Sequence, residues 1–337
     1  MSDSTPIKVS VVIPLYNKAE YIRRALDSVM AQGHQDFEIV VVDDGSTDNG
    51  AEVVSEYEDP RIRLIRQPNA GVSAARNAAV RAATSEFIAL LDADDEWKPD
   101  FLETVLGLHA QFPQAGICGT AYVEIHPGGS LRHQNIPNEV AVNKDGSLID
   151  FFTFSLSAEQ PCNASSSLLR REVLLAVGGF PENLVRLEDT VTLFAIALRH
   201  PVAYSPVAKA IYHMEADNRS DAYLYSGNFP FFSKARELLR ERGETESMPP
   251  AVLQYLGYMH TGGLYRNWLA GNSPAMREII RDCRDIPGYR LKCVCWSVLA
   301  GLPHNLILAF WRLYSKFRGR VAILPRTRSI FRQASTV

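Results

Sequence analysis

Two rhythms of apolar residues alternate along the first third of this chain. Residues 9–13, 38–42 and 87–91 are short runs rich in valine, isoleucine and leucine, apolar at nearly every position. Between them the apolar residues recur at helical spacing: residues 18–32 place Tyr21, Ile22, Ala25, Leu26, Val29 and Met30 on one face, with Asn17 as the expected N-cap. Residues 49–57 predict a second helix, 62–66 a short strand, and the alanine-rich segment 71–83 a third helix. Strands that are apolar on both faces and joined by helices predict an α/β protein with a parallel sheet covered on both sides. Ligands of such a sheet lie beyond the carboxyl ends of its strands.

The pattern loosens after Pro99. A helix is expected to about residue 112, a strand over 116–124 and a turn at Gly128-Gly129, while the polar stretch 130–146 reads as a mobile loop. Residues 165–169 predict a strand. Residues 189–199 predict a strongly apolar helix stopped by Pro201, and 202–204 and 208–213 two short strands separated at Pro206. The resulting division is 1–115, 116–219 and a helical C-terminal region, 220–337, without recognisable chemistry. Its most apolar stretch, 291–314, is interrupted by Lys292, Gly301, Pro303, His304 and Asn305, which argues against a membrane-spanning helix. Residues 312–337 carry seven Arg or Lys and no acid. An apolar hairpin with a basic tail suits an anionic membrane face; it equally suits a helical pair packed on the rest of the protein or on a partner subunit.

Composition changes this picture little. The chain has 337 residues, is 46% hydrophobic and 22% charged, and carries a net charge of −3, which gives no reason to expect nucleic acid as a partner. Its five cysteines are odd in number and scattered, so a reducing compartment is expected. Cys293 and Cys295 lack zinc spacing and read as buried thiols. The N-terminal residues show neither a basic nor an apolar signal region, and a cytoplasmic protein is expected, with possible peripheral contact at the inner face of the membrane.

The chemistry lies at strand ends. The run 87–91 is followed by Asp92, Asp94 and Asp95, and the run 38–42 by Asp43 and Asp44. Carboxylates packed this closely repel one another unless a cation neutralises them. Asp92 and Asp94, two apart on an extended chain, share a face and reach one ligand. Hard carboxylate oxygens suit Mg²⁺ or Mn²⁺, the more so when a diphosphate supplies further oxygens. A solvated acidic turn is the alternative that Asp-x-Asp by itself leaves open.

Four segments in order carry a resemblance: Val9 to Asn17 (VSVVIPLYN), Phe37 to Asp48 (FEIVVVDDGSTD), Gly71 to Asn77 (GVSAARN), and Asp92-Ala93-Asp94-Asp95. Over about residues 8–215 the chain resembles the inverting family 2 glycosyltransferases of the GT-A fold. That resemblance implies a nucleotide-sugar donor, usually a UDP-sugar, a divalent cation, and a saccharide or lipid-linked acceptor in surface polysaccharide or glycolipid assembly. It assigns Pro14, Tyr16 and Asn17 to the wall of the nucleotide pocket. Asp44, alone or together with Asp43, would accept a hydrogen bond from the base, as an acceptor-only carboxylate does from uracil N3–H. Arg76 and Asn77 would approach the base, ribose or diphosphate, unless they only pack their helix. Asp92 would contact ribose or metal, Asp94 would ligate the metal, and Asp95 would share either task. Asp189, after Gly178-Gly179-Phe180, would be the general base, with Glu188 as the substitute one register away. His213 would complete the metal shell or serve as a hydrogen-bonded structural histidine.

The rivals are weaker. A nucleotidyltransferase needs a glycine-rich basic loop where this chain has Pro14-Leu15-Tyr16-Asn17-Lys18, and a dinucleotide-dependent oxidoreductase needs Gly-x-Gly-x-x-Gly after the first strand. A non-enzymatic nucleotide-sugar-binding subunit would show damaged motifs, and every motif carboxylate is present.

Overall fold

The computed structural model describes residues 8–215 except 183 and 185, then 237, 240, 241, 249–269, 272–283 and 290–301. Alternation of strand and helix opens the chain as the pattern predicts: β1 (Val9–Leu15), α1 (Ala19–Met30), β2 (Phe37–Asp43), α2 (Gly50–Ser55), β3 (Ile62–Arg66), α3 (Val72–Ala82) and β4 (Phe87–Leu90). There follow β5 (Glu96–Trp97), α4 (Phe101–Gln111), β6 (Ile117–Ile125), β7 (Leu131–His133), α5 (Asn138–Ala141), β8 (Ser147–Ile149) and α6 (Phe151–Ser157). A 3-10 turn (Ala164–Ser166), β9 (Ser167–Arg170), α7 (Arg171–Ala176), α8 (Glu188–Ala197) and β10 (Val202–His213) complete the sheet-bearing part.

Ten strands form one sheet in the order β3-β2-β1-β4-β9-β6-β10-β5, with β7 beside β6 and β8 beside β10. β3, β2, β1 and β4 run parallel, as do β6 and β10, while β9 runs antiparallel between β4 and β6. The core is continuous from Val9, Val11 and Ile13 through Ile39 and Val41 to Ala89 and Leu91, under the buried side of α1 and α4. Strands buried on both faces are what a parallel sheet under two helical layers requires. The acidic segments 43–44 and 92–95 follow β2 and β4, the two parallel strands that flank β1.

Four expectations need correction. Lys18, not Asn17, is the N-cap of α1, and neither side chain caps it; Asp48 Oδ2 accepts from Ala19 N at 2.9 Å instead. Asn17 takes φ +51° and uses its Oδ1 to accept from Thr47 N at 2.8 Å. The stretch 130–146 is not a bare loop, because β7 pairs with β6 and α5 follows it. Residues 202–213 form one strand, not two: its register to β6 shifts between Ser205 and Ala210, and Pro206 sits inside that irregularity, where its missing N–H costs no ladder bond. Cys293 is buried but Cys295 is exposed; side chains two positions apart on a helix point to different sides of it.

The described residues fall into two compact units. The first holds the sheet and α9 (Pro250–Leu269) as far as Tyr258; the second holds the rest of α9, α10 (Ser273–Cys283) and α11 (Arg290–Ala300). No helix among the described residues is long and apolar enough to cross a membrane. The part of the expected apolar hairpin beyond residue 301 and the basic tail 312–337 lie outside the described residues.

One buried carboxylate makes the sheet sensitive to acid. Glu38, near the start of β2 and 8% exposed, accepts from Ser10 Oγ at 2.6 Å and from Thr84 N and Oγ1 at 2.7 and 2.6 Å. Burial works to raise its pKa, but these hydrogen bonds outweigh it and hold the carboxyl below its ordinary value. Its contribution to stability is therefore present above about pH 4.3, the ordinary glutamate value, and is lost as the pH falls through the lower folded value. Glu38→Gln is expected to cost about 1–3 kcal/mol at pH 7 and much less at pH 3. Urea unfolding of both proteins at the two pH values checks this; an equal deficit at both would rule it out.

Candidate active site

An open cleft of about 340 Å³ lies over the carboxyl ends of β1, β2 and β4. Pro14 and Tyr16 from the end of β1 line it, with Asp44 after β2, Arg76 on α3, and Asp92, Asp94 and Asp95 after β4. Glu188 and Tyr212 reach it from the second half of the sheet. The crossovers bring these residues together: parallel strands must end at the same edge, so loops far apart in sequence share one rim.

Asp43 and Asp44 have different tasks. Asp43 Oδ1 accepts from Ser46 N at 3.0 Å and so shapes the turn after β2. The buried Asp44 accepts from Gln67 Nε2 at 2.6 Å, Ala70 N at 3.0 Å and Gly71 N at 2.8 Å. Gly71 adopts φ +92° ahead of α3, a conformation in which glycine is favoured. A carboxylate offers about four lone-pair sites, so Asp44 retains capacity for one further donor in the cleft.

Arg76 is the electrostatic centre. It is 3% exposed, and its guanidinium donates to Asp92 Oδ1 at 2.6 Å and to Glu188 Oε1 at 2.8 Å while lying 5.4 Å from the Phe180 ring centroid. Burial works against its charge, but Asp92, Glu188 and Asp189 outweigh it and raise its pKa above the ordinary value. For Glu188, burial raises the pKa, Arg76 opposes that rise, and Asp189 adds to it; the net direction is upward.

Glu188 and Asp189 open α8, after Leu187 in the left-handed region at φ +60°. A branched side chain there carries strain of order 1 kcal/mol or more, which persists only where the surroundings impose it. Asp189 Oδ1 accepts from Thr190 N at 2.7 Å and Oδ2 from Ala164 N at 3.2 Å, so its carboxylate is held by main-chain donors. Of the two acids, Glu188 lines the cleft.

Of the expected site residues, Asn17, Asp43, Asn77, Asp189 and His213 are not among those lining the cleft. Asn17 faces the turn at 46–47, as described above. Asn77 binds the Gly178-Gly179-Phe180 turn: its Nδ2 donates to Phe180 O at 2.8 Å and Glu182 Oε1 at 2.9 Å, and its Oδ1 accepts from Phe180 N at 2.8 Å. Gly179, at φ +71°, comes so close that an added Cβ would sit 2.6 Å from Asn77 Oδ1. Asn77 thus ties α3 to this turn. His213 contacts Glu96 through Nε2 at 3.0 Å and Glu215 through Nδ1 at 3.7 Å, and its main-chain N–H donates to Asp95 Oδ1 at 3.2 Å.

Each acid of the 92–95 segment has a partner. Asp92 has Arg76; Asp94 Oδ2 accepts from Lys18 Nζ at 2.7 Å; Asp95 Oδ2 accepts from Ser165 Oγ at 2.7 Å. Among the described residues no three His, Cys, Asp or Glu groups converge to hold a metal. The donor set fits Mg²⁺ or Mn²⁺ nevertheless, because these ions take one or two carboxylates and complete their shell with water and substrate phosphate.

Sequence reasoning missed Lys18 and the turn around Ser165. Ser165 is fully buried; its Oγ accepts from Asp92 N at 3.0 Å, and its carbonyl accepts from Trp97 Nε1 at 2.7 Å. The adjacent Ala164 N holds Asp189, and Asn163 Oδ1 accepts from the Tyr212 hydroxyl. This turn fastens Asp92 and Asp95 to the start of α8. Its one signal in the sequence is the run Ser165-Ser166-Ser167, polar residues where a buried strand begins.

Comparisons with known proteins bear on the family and the fold. Residues 10–174 match the family model described as glycosyl transferase family 2. An uncharacterised glycosyltransferase of Nostoc sp. is 48% identical over 103 residues, 30% of this chain and 32% of that protein, so the match spans only about a third of that relative's length. Staphylococcus aureus TarS 1–349 in complex with UDP-GlcNAc superposes with a TM-score of 0.72 at 17% identity, over 91% of this chain and 92% of that one. A mannosyltransferase from Pyrobaculum calidifontis in complex with GDP-Man and Mn²⁺ gives 0.55 at 19% identity, over 93% and 90%. At such identities the structural likeness establishes the GT-A fold.

Proposed function

Residues 10–174 belong to glycosyl transferase family 2, and from that premise we propose that the protein transfers a sugar, with inversion, from a nucleotide-sugar donor to an acceptor hydroxyl in surface polysaccharide or glycolipid assembly. UDP is the proposed nucleotide. The observation that carries the reading is the cleft in which Asp44, Arg76, Asp92, Asp94 and Glu188 share one sheet edge. In this reading residues 1–115 hold the donor and 116–219 the acceptor and the base.

Asp44 accepts from the base, and Pro14 and Tyr16 form the wall beside it. Asp94 and Asp92 would hold a divalent cation, which when bound supplies Lewis-acid stabilisation of the departing diphosphate. Arg76 keeps Asp92 and Glu188 in register at the sugar end of the cleft. Asp189 is the base that removes the acceptor proton as the bond from the anomeric carbon to the diphosphate breaks; Glu188, engaged by Arg76, is the alternative base. A base held by two main-chain amides loses little orientational freedom on reaching the transition state.

The discriminating assay measures release of free nucleoside diphosphate from a panel of UDP- and GDP-sugars, with Mn²⁺ and then with chelator. Release with one donor, lost on chelation, is expected. No release with any donor and a set of saccharide acceptors would favour a binding subunit. In parallel, Asp94→Ala is expected to abolish metal-dependent UDP binding in calorimetry; an unchanged titration would remove Asp94 from the metal site.

A further inference from the structure

We propose that Lys18 is the resident counter-cation of Asp94, that it competes with a divalent metal for that carboxylate, and that the metal consequently enters with the donor's diphosphate, to which the released ammonium then binds. This rests on the donor reading above.

Lys18 immediately precedes α1, is 12% exposed in its side chain, and lies along the cleft with Nζ 2.7 Å from Asp94 Oδ2. Nζ is also 5.7 Å from the Tyr21 ring centroid. Arg24, farther along α1, packs at 5.5 Å from the same ring and donates to Asp94 O at 2.6 Å. One side of α1 thus presents two cations to a single residue, one to its carboxylate and one to its carbonyl. Across the cleft Arg76 neutralises Asp92, and beside it His213 contacts Glu96.

A rim neutralised in this way is a poor site for a bare dication. The ion would gain little from carboxylates already paired, and it would meet the like charge of Lys18 at short range. No third His, Cys, Asp or Glu among the described residues compensates. A diphosphate changes both terms: it adds hard oxygen ligands for the metal and offers the ammonium an anionic partner. Lys is suited to such an exchange, being a compact point charge on a flexible stem with three donors. The pocket's own charge therefore sets the order of binding.

Calorimetric titration of Mn²⁺ into the full-length protein, alone and with UDP or GDP present, tests this in wild type, Lys18→Met and Lys18→Arg. Wild type is expected to bind Mn²⁺ at least about tenfold more tightly with diphosphate than without. In Lys18→Met, affinity for Mn²⁺ alone should rise by roughly tenfold while metal-free affinity for the diphosphate falls by a similar factor. Lys18→Arg should follow wild type. Should thermal melting show that Lys18→Met has lost its fold, Lys18→Gln replaces it with the same expectations. The opposite signs exclude general damage, which lowers both affinities. Wild type binding a diphosphate while removal of the ammonium leaves affinity for Mn²⁺ alone unchanged or reduced, or leaves diphosphate affinity unchanged, overturns the proposal alone. Wild type binding neither UDP nor GDP overturns the donor reading and this proposal with it.

Discussion

Asp189→Asn is expected to lower kcat by about 10²–10⁴-fold, the usual contribution of a positioned general base, with nucleotide affinity near that of wild type. The substitution keeps an oxygen for Thr190 N, which donates to Asp189 Oδ1 at 2.7 Å. It sets an amide against Ala164 N, which donates to Oδ2 at 3.2 Å, so a modest loss of stability accompanies the loss of turnover. Steady-state kinetics with calorimetric UDP binding separates the two effects. Glu188→Gln is the control, because Glu188 is the acid that lines the cleft. If Asp189→Asn retains most activity while Glu188→Gln loses it, the base is Glu188, and Arg76 must release it on acceptor binding.

The second large effect concerns Arg76. Arg76→Met removes the cation that pairs Asp92 and Glu188 and leaves Glu188, 12% exposed, without it. Breaking a buried ion pair by deleting one partner costs about 3–5 kcal/mol, most of it the penalty of the charge left behind. Arg76 is also the influence that opposes the rise of the Glu188 pKa, so that carboxyl should move further upward in the variant. Arg76→Met combined with Glu188→Gln should therefore recover part of the stability lost by Arg76→Met alone, a coupling that urea unfolding of the four proteins of the cycle measures. A double variant no more stable than the single one would show that the pair does not act as a unit.

Much of the architecture was legible in the chain because its signals are local. Runs such as 39–42 and 87–90 are apolar at successive positions, as a strand covered on both faces is, and acids at their ends mark the edge where ligands of such a sheet bind. The alanine-rich α3 and the amphipathic α1 follow from periodicity alone. Where one residue altered the outcome, the pattern misled: Pro206 reads as a strand break and is in fact accommodated by a bulge within β10. The short elements β5, β8, α6 and α7 were absent from the reading because two to seven residues carry too little periodicity to register.

The amino-acid order by itself determined where the acids lie: carboxylates at the ends of parallel strands, in a region whose motifs resemble those of family 2 glycosyltransferases, with Glu188-Asp189 at a helix start. Only the tertiary structure decided which atoms meet. It paired Asp94 with Lys18, 76 residues away, Arg76 with Glu188, 112 away, and Asn77 with the turn at Phe180, 103 away. Hydrogen bonds and ion pairs act over about 3 Å, and which groups come within that distance is set by crossovers and helix packing across the whole sheet, a property that no window of sequence contains.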